Sequence, residues 1–510
     1  MLTTNTLKKP LTSKGFTIVE LLVVIVVIGI LAAVTIVAFN GVQQRAAEGV
    51  LKSDLVGAGK QLEALKLDSS DIYPSSSSSL SKSSSTNYQY SYTPGDNSYC
   101  LTATSSVGGV PAYYISSTTK TVTQGLCPGH TLPGAPVTGW KYVATGISTT
   151  CAIASNDKVY CWGNNANGQL GNGTTVNSPT PVAVNASGVL ASKTFIGVEV
   201  GSNNACAYTS TEIFCWGSGN LGNGVSSTAS LPVAVTMSGS LAGKGVKSLT
   251  IGSNLMCTIA SDDKEYCWGS GSFRALNSSG TPSSSTTPIP WDVGSVFGAN
   301  PIQSVDQYNT VKCVVAGGVG YCWGYQSYGE VGNGVTSGST STPQPVITSG
   351  VLSGKTMQKI TFGGSSTCSI ASGEAFCWGY GRNGDLGDGL DADSNVPVAV
   401  NTSGVLGGKT LVDIGTGANH SCTLATDGKV YCWGNSTNGR LGYGTGIVNT
   451  DVPVAVSMAG ITATKLTVGT QQGCMLATNT QIYCWGSNTV GQLGDGSTTT
   501  RTTPVVVTLP

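Results

Sequence analysis

The sequence predicts a multidomain protein in which a long N-terminal α-helix and a small α+β head precede an all-β propeller of seven blades. Three observations support this fold class. Residues 16–39 form an apolar run that carries one charge, Glu20. Two cysteines, Cys100 and Cys127, bracket an aromatic and Thr-rich segment after the helix. From Trp140 to the end, a unit of 52–55 residues recurs seven times, and a period of about 50 residues is typical of propellers and solenoids.

The composition of the 510 residues excludes some functional classes. Charged residues make up 10% of the chain and the net charge is zero, whereas charged residues are about 25% of typical globular chains. Without a surplus of basic residues the chain is not expected to bind nucleic acid. The 70 glycines, among many Ser, Thr and Val, predict short strands and tight turns. We expect no cofactor.

The N-terminus predicts membrane insertion with an unusual cleavage point. Residues 1–15 carry three lysines and no acid, and a basic flank stays cytoplasmic, so the rest of the chain is expected outside. A helix over 16–39 would span roughly 36 Å, enough to cross a bilayer. A carboxylate at the depth of Glu20 is costly and indicates function. Cleavage after Gly15 would remove the charges and keep the helix, unlike cleavage of a secretory signal peptide.

The order of Gly15, Phe16 and Glu20 in KGFTIVE resembles the prepilin signature of the type IV pilin family. The resemblance implies cleavage after Gly15 by a prepilin peptidase and N-methylation of Phe16. It also implies a single-pass prepilin in the bacterial cytoplasmic membrane, then assembly with other pilins through this helix into an extracellular pilus. Glu20 would pair with the amine of Phe16 on a neighbouring subunit, because a buried carboxylate needs a positive partner. The alternative is an ordinary single-pass anchor.

The next segments fit the same resemblance, apart from a proline that pilins often carry along the helix and that is absent here. Residues 40–67 continue the helix with apolar residues at helical spacing. A Ser-rich run over 75–85 is interpreted as an unmodified loop, with O-linked glycosylation as the alternative. The strand patterns beyond it resemble a pilin head closed by a Cys100–Cys127 disulfide. The predicted domains are a leader at 1–15, a helix at 16–67, a head at 68–134 and a propeller at 135–510.

Each repeat contains Cys-Trp-Gly, an earlier Cys, a Gly five residues before that Cys in six copies, and a Gly-rich loop such as NGQLGNGT at 167–174. A Pro-Val strand follows. These features resemble the RCC1-repeat family (regulator of chromosome condensation) over about 370 residues. The resemblance implies a seven-bladed β-propeller. We expect the last strand, 504–507, to close the ring by completing the blade that begins near Trp140, which leaves few open sheet edges.

The repeat cysteines predict disulfides. Folding Cys151 opposite Cys161 leaves a three-residue turn, and folding Cys206 opposite Cys215 leaves a two-residue turn, both normal for hairpins. Cross-strand neighbours come within reach of a disulfide. An exported chain with two histidines fits disulfides better than zinc. The predicted repeat pairs are Cys151–Cys161, Cys206–Cys215, Cys257–Cys267, Cys313–Cys322, Cys368–Cys377, Cys422–Cys432 and Cys474–Cys484.

No catalytic constellation is evident, so we expect no enzymatic activity. His130 lies in a linker, and His420 is the one copy of the histidine that RCC1 repeats usually carry after the glycine. The third repeat introduces Phe273, Arg274 and Trp291, and aromatic residues with an Arg are common binding anchors. The alternative is a repeat that has decayed in sequence, with Trp291 buried between blades.

The fifth repeat contains a cluster of acids, Asp385, Asp388, Asp391 and Asp393. Clustered carboxylate oxygens are ligands for Ca²⁺, but the spacing does not match an EF-hand loop. The alternative is an acidic, solvated loop. We expect no other metal site.

Together these features favour a minor type IV pilin, or a pilin-like surface protein, that displays its propeller for adhesion or partner binding to a surface protein or glycan. A propeller much larger than the pilin body favours a minor or tip position on steric grounds. The alternatives are a pseudopilin of a secretion or DNA-uptake system with a cargo-binding propeller, and a surface hydrolase. The nucleotide-exchange role known in the RCC1 family is disfavoured, because this propeller should lie outside the cell and its chain is neutral.

Overall fold

The computed structural model divides into two compact units, 1–135 and 136–510. Gly15, Phe16, Phe273, Arg274 and His130 lie outside the described residues, as does the side chain of Glu20. Side chains are described from residue 41 onward, other than those of 89 and 188. The described residues are 18–69, 71–74, 77, 79–93, 96–107, 110–125, 127, 137–185, 188–190, 193–270, 284–291, 296–298, 300–308, 311–444 and 448–510.

The first unit contains one long helix, Ile18–Asp68. Leu51, Leu55, Ala58 and Leu62 follow at spacings of three or four residues, which places them on one face, and each is at most 1% exposed. The predicted membrane span, 16–39, falls on residues whose side chains are not described. Among the described residues, no helix is long and apolar enough to cross a membrane.

A four-stranded antiparallel sheet covers the buried face of this helix. Leu101 and Ile115 of the sheet pack against Leu55 and Leu62. The approach is close, since a Cβ added at Gly59 would lie 2.9 Å from Ile115 Cδ1. A disulfide joins Cys100, in the second strand of this sheet, to Cys127, which follows the fourth strand. The strands are Thr86–Thr93, Ser98–Ser105, Tyr113–Ser116 and Thr123–Gln124.

The described part of the second unit contains seven four-stranded antiparallel sheets, numbered 1 to 7 in chain order, with strands a to d in sequence order. The bounds are, for sheet 1, Trp140–Thr145, Thr149–Ala154, Val159–Gly163 and Ser178–Ala183; for sheet 2, Gly197–Val200, Asn204–Tyr208, Ile213–Gly217 and Ala229–Ala234; for sheet 3, Val246–Ile251, Leu255–Ala260, Glu265–Ser270 and Ser284–Pro290; for sheet 4, Ile302–Tyr308, Val311–Ala316, Val319–Tyr325 and Ser339–Pro345.

The later sheets repeat this order. The bounds are, for sheet 5, Met357–Gly363, Ser366–Ala371, Glu374–Gly379 and Ser394–Ala399; for sheet 6, Leu411–Thr416, His420–Ala425, Val430–Gly434 and Thr450–Ala455; for sheet 7, Ala463–Val468, Gln472–Ala477, Ile482–Gly486 and Arg501–Val506. Short 3₁₀ helices span Gly188–Leu190, Gly239–Leu241, Gly350–Leu352, Arg382–Gly384 and Thr437–Gly439.

The prediction that the last strand completes the first sheet is wrong. Strand Arg501–Val506 pairs within sheet 7, with Cys484 opposite Val505. Each repeat begins immediately before its own strand a and supplies all four strands, so no strand is left to exchange. The first and last sheets meet instead by packing, and a Cβ added at Gly469 would lie 2.4 Å from Gly146 O.

Every contact between neighbouring sheets repeats one pattern. Successive residues of strand c face opposite sides of the sheet, so the cysteine of Cys-Trp-Gly faces the next sheet and the tryptophan faces the previous one. Cys151 and Cys161 of sheet 1 therefore pack with Trp216 of sheet 2. The same arrangement joins sheet 7 to sheet 1, where Cys474 and Cys484 pack with Trp162. The tryptophans, each at most 1% exposed, are Trp162, Trp216, Trp268, Trp323, Trp378, Trp433 and Trp485.

Candidate functional site

The first strands of the seven sheets surround a cavity of about 310 Å³. In six sheets a glycine follows strand a or is its last residue, and Tyr308 takes that place in sheet 4. The residues two and four positions before it face strand a of the next sheet. Thus Asp306 accepts a hydrogen bond from Phe362 N at 3.0 Å, and Ser304 accepts one from Ile360 N at 3.3 Å. The ionisable residues and the tyrosine at these positions are Tyr142, Glu199, Asp306, Lys359, Asp413 and Lys465, and all of them except Asp413 line the cavity.

Two of these charges neutralise each other. Lys359 of sheet 5 forms an ion pair with Asp413 of sheet 6. The carboxylate of Asp413 also accepts hydrogen bonds from Ile414 N at 3.0 Å and Leu466 N at 3.3 Å. The carboxylate of Asp413, on sheet 6, therefore links sheet 5 through Lys359 and sheet 7 through Leu466 N.

The carboxylate of Asp306 has backbone partners but no cationic partner among the described side chains. It accepts from Gln307 N at 2.8 Å as well as from Phe362 N. Burial raises the pKa of Asp306, and the hydrogen bonds offset only part of this effect. Burial thus opposes the charged form of Asp306.

Glu199 and Lys465 both contact Tyr142, one at its hydroxyl and the other at the face of its ring. The hydroxyl of Tyr142 donates to Glu199 Oε1 at 2.7 Å. Lys465 Nζ lies 3.1 Å from the centroid of the Tyr142 ring, a cation–π contact. Burial raises the pKa of Glu199 and lowers the pKa of Lys465 to about 8. Within the described part of the chain, neither group has an ion-pair partner within 4.0 Å.

Sequence reasoning missed the ionisable residues of this cavity, although a signal for them exists. Each lies two or four positions before the glycine at the end of strand a, or before Tyr308, which takes the place of that glycine in sheet 4. Aligning the repeats on that glycine and reading only those two positions would have collected Glu199, Asp306, Lys359, Asp413 and Lys465. Reading the repeats one at a time shows each as an isolated charge in a strand.

Trp291 is a buried residue and not an exposed anchor. It is 6% exposed and stacks on Trp323, with ring centroids 4.8 Å apart and planes 8° apart. Lys312 Nζ lies 4.6 Å from the Trp291 ring and 2.7 Å from Glu265 Oε1. The interpretation of Trp291 as a residue buried between repeats 3 and 4 therefore describes the structure, in which Trp291 is not an exposed anchor.

The four acids of the fifth repeat do not converge on one point. Asp388 accepts from Leu390 N at 3.0 Å, Asp391 from Gly384 N at 3.2 Å, and Asp393 from Gly381 N at 3.0 Å. These carboxylates therefore stabilise their own loop. The described side chains form one group with metal-ligand geometry, Cys257, Glu265 and Cys267, but both sulfurs are in a disulfide and Lys312 occupies the carboxylate.

Asp385 differs from the other three acids because it is buried, at 1% exposure, and the charge of Arg440 acts on both Asp385 and the buried His420. Burial raises the pKa of Asp385 to about 8. Burial, and then the charge of Arg440, lowers the pKa of His420 to about 3. A neutral, fully buried imidazole of this kind is a core residue and has no access to a substrate.

The structure joins all seven repeat pairs named from the spacing, with Cα–Cα distances of 4.0–4.2 Å. The cysteines stand directly opposite each other in strands b and c, as in Cys151 with Cys161. No free cysteine remains among the described residues.

Three family models match parts of the chain. "Prokaryotic N-terminal methylation motif" matches residues 11–36. "Regulator of chromosome condensation (RCC1) repeat" matches residues 156–208, 372–424, 427–476 and 480–510, and a second description of that repeat matches 140–169 and 411–440.

Two curated relatives match about 370 residues of the chain. The chain is 26% identical over 372 residues to the ultraviolet-B receptor UVR8 of Arabidopsis thaliana, which covers 72% of this chain and 81% of UVR8. It is 27% identical over 374 residues to the E3 ubiquitin-protein ligase HERC2 of Homo sapiens, which covers 71% of this chain but 7% of HERC2.

Solved structures share the fold of the repeat-bearing unit. Human WBSCR16 matches with a TM-score of 0.61 at 19% identity, over 69% of this chain and 94% of that one. Yeast RCC1 (Prp20), solved with Kap60, matches with a TM-score of 0.57 at 17% identity, over 73% and 85%. The predicted N-terminal helix followed by an all-β, propeller-like fold is confirmed. The chain thus carries a prokaryotic N-terminal methylation motif of the prepilin type, followed by RCC1 repeats in a propeller-like fold.

Proposed function

We propose that this chain is a pilin-like surface protein that displays a seven-bladed propeller for adhesion or partner binding. The supporting observation is that a prokaryotic N-terminal methylation motif and a disulfide-bonded repeat fold occur in one chain. Structural disulfides persist in oxidising compartments, which agrees with export. The prepilin peptidase, the membrane and other pilins would be its partners during processing and assembly.

The first unit supports a pilin body. Its helix packs one apolar face on a four-stranded sheet, and the Cys100–Cys127 disulfide holds the end of that sheet. In this proposal Phe16 becomes the methylated N-terminus and Glu20 pairs with the amine of a neighbour. A large propeller on every subunit would crowd a filament, so a minor or tip position is proposed.

The two rims of the second unit differ in their number of ion pairs. Among the described residues, the hairpin rim, formed by the turns between strands b and c, carries six ion pairs, which are Lys141–Asp157, Lys193–Glu212, Lys244–Asp262, Lys247–Asp263, Lys355–Glu374 and Lys409–Asp427. The described part of the loop rim, formed by the segments between strands c and d, carries two, Arg382–Asp393 and Arg501–Asp495. The charged rim is also the one at which the unit begins, since Trp140 N donates to Thr480 O.

The loop rim exposes an apolar side chain at a corresponding place in five sheets, and these are Val176, Val225, Val335, Leu390 and Val448, at 41–72% exposure. Recurrent apolar side chains on a weakly charged surface favour contact with a partner. We propose the loop rim as the binding surface. The role proposed is binding and not catalysis, because His420 is buried and the paired cysteines provide no nucleophile.

Surface display is tested with Gly15→Val, which replaces the small residue needed for cleavage and should therefore block cleavage. Ser13→Ala is the control. Antibody labelling of intact cells should detect wild type and Ser13→Ala on filaments, and Gly15→Val only in the membrane fraction. Filament labelling by Gly15→Val would contradict the proposal.

The loop rim is tested with Leu390→Asp and Val335→Asp, and with Val351→Asp as matched control. Val351 lies in a segment between strands d and a and is 40% exposed, close to the 41% of Val335. The two loop-rim variants should reduce the number of cells retained on a colonised surface while display stays normal. Equal retention by all three variants would remove the loop rim as the binding surface.

A further inference from the structure

Three charged groups of the cavity form no direct ion pair among the described side chains, although Lys465 and Glu199 attract each other across Tyr142. Lys359 and Asp413 neutralise each other, and the remaining groups are Lys465, Glu199 and Asp306. Lys465 contacts a ring face, Glu199 accepts from a hydroxyl, and Asp306 accepts from backbone amides. Among the described side chains, one cation and two carboxylates of the cavity therefore lack an ion-pair partner within 4.0 Å.

These groups lie at different places around the ring. Lys465 is on strand a of sheet 7, Glu199 on that of sheet 2 and Asp306 on that of sheet 4. In a closed ring of seven, sheet 4 lies across the cavity from sheet 7. The cavity therefore has a positive side at Lys465 and a negative side at Asp306, with Glu199 between them on one arc.

Burial opposes the charged form of each of these three groups. It lowers the pKa of Lys465 to about 8 and raises the pKa values of Glu199 and Asp306. A ligand group of opposite charge restores part of the lost solvation, and charge-assisted hydrogen bonds in such a site are the strong ones.

The mouth of the cavity limits the size of what can enter. The glycines at the end of strand a border this mouth. A Cβ added at Gly146 would lie 2.3 Å from Gly201 O. The backbones of neighbouring sheets thus touch at this mouth. A volume of about 310 Å³ is at the lower end of the range for ligand pockets, about 300–1,000 Å³.

We propose that the cavity binds a small zwitterion of about amino-acid to dipeptide size. Its carboxylate faces Lys465 and its ammonium group faces Asp306, with Glu199 as a second acceptor for the ammonium group. The proposal does not depend on surface display, because it rests on the second unit alone.

The test uses the full chain in detergent with its disulfides intact, and glycylglycine as the probe at neutral pH. Two analogues each remove one charge: glycylglycinamide lacks the carboxylate, and N-acetylglycylglycine lacks the ammonium group. Calorimetric titration should show saturable binding of glycylglycine and at least about tenfold weaker binding of each analogue, as expected for losing one charge-assisted bond.

Variants assign each charge to its residue. Lys465→Met should bind glycylglycine and glycylglycinamide equally, and Asp306→Asn should bind glycylglycine and N-acetylglycylglycine equally. Lys465→Arg should keep the preference for a carboxylate. Lys141→Met, which removes an exposed lysine of the hairpin rim, is the control and should bind like wild type.

Two results would overturn the proposal. One is the absence of saturable glycylglycine binding up to about 10 mM, a concentration that covers weak specific ligands. That result would mean that water alone solvates the charged groups of the cavity. The other is equal binding of the three probes to the wild-type chain. Neither result depends on whether a variant folds, and neither bears on the display experiment with Gly15→Val.

Discussion

The indole Nε1 of Trp162 donates a hydrogen bond of 3.0 Å to the backbone oxygen of Gln492, 330 residues later in the chain. The same bond joins neighbouring sheets within the ring, as from Trp216 to Gln169 O at 2.8 Å. The junction between the first and last sheets therefore contains the same bond as four other junctions, those of Trp216, Trp378, Trp433 and Trp485. Closure needs no exchanged strand, because this junction, like the others, contains a buried tryptophan and a disulfide.

Trp162→Phe should lower the free energy of unfolding more than Trp268→Phe. Both indoles are fully buried, but Trp268 Nε1 has no hydrogen-bond partner among the residues that the structure describes, so the Trp268→Phe variant loses only side-chain volume. Removing a buried hydrogen bond costs about 1–2 kcal/mol, and this is the expected difference between the variants. Urea titration measures it, and equal midpoints would show that the closing bond adds nothing.

Removing one repeat disulfide should destabilise the chain without changing the fold. Cys206→Ala with Cys215→Ala opens a loop with a sequence separation of 9, for which chain entropy gives about 2–3 kcal/mol. Both sulfurs also pack at the junction with sheet 3. Thermal unfolding measures the loss. A thiol reagent should find no free thiol in native wild type, and reactive thiols in the native state would refute the paired assignment.

Lys312→Met should be strongly destabilising. Lys312 and Glu265 form a pair in which both side chains are at most 2% exposed, and burial lowers the pKa of Lys312. Removing one partner of such a pair costs about 3–5 kcal/mol because the other charge is left buried, whereas replacing both is often neutral. The double variant Lys312→Met, Glu265→Leu should recover most of the urea midpoint. No recovery would mean that the pair itself holds the sheets together.

Asp385 should limit stability at alkaline pH. Its folded pKa of about 8 lies above the ordinary value of 3.8, so the folded state binds the proton more tightly than the unfolded state. This contribution is complete below the ordinary value and is lost as the pH rises through about 8. Asp385→Asn should flatten the decline of the unfolding midpoint between pH 4 and 8. An unchanged pH profile would show that Asp385 is ionised in the folded protein.

The features that could be predicted from sequence are those set by local geometry. A hairpin turn fixes which residues stand opposite each other, so the pairing of Cys151 with Cys161 follows from the turn length. The way the ring closes depends on where the first repeat begins relative to strand a. The sequence around 504–507 is compatible both with a strand that pairs within sheet 7 and with one that completes sheet 1.

Cavity charges and buried aromatics were harder to predict for a different reason. Glu199 and Lys465 are 266 positions apart, and only the ring brings both to Tyr142. Trp291 looks like a surface anchor until its stacking partner Trp323 is known. Both depend on contacts between repeats, which no single repeat encodes.

Mass spectrometry of the protein taken from its native cell surface tests the central claim most directly. The account predicts a mature chain that begins at N-methylated Phe16, contains eight disulfides and has no free thiol. A chain that retains residues 1–15, or that carries free cysteines, would contradict both the pilin-like processing and the exported propeller.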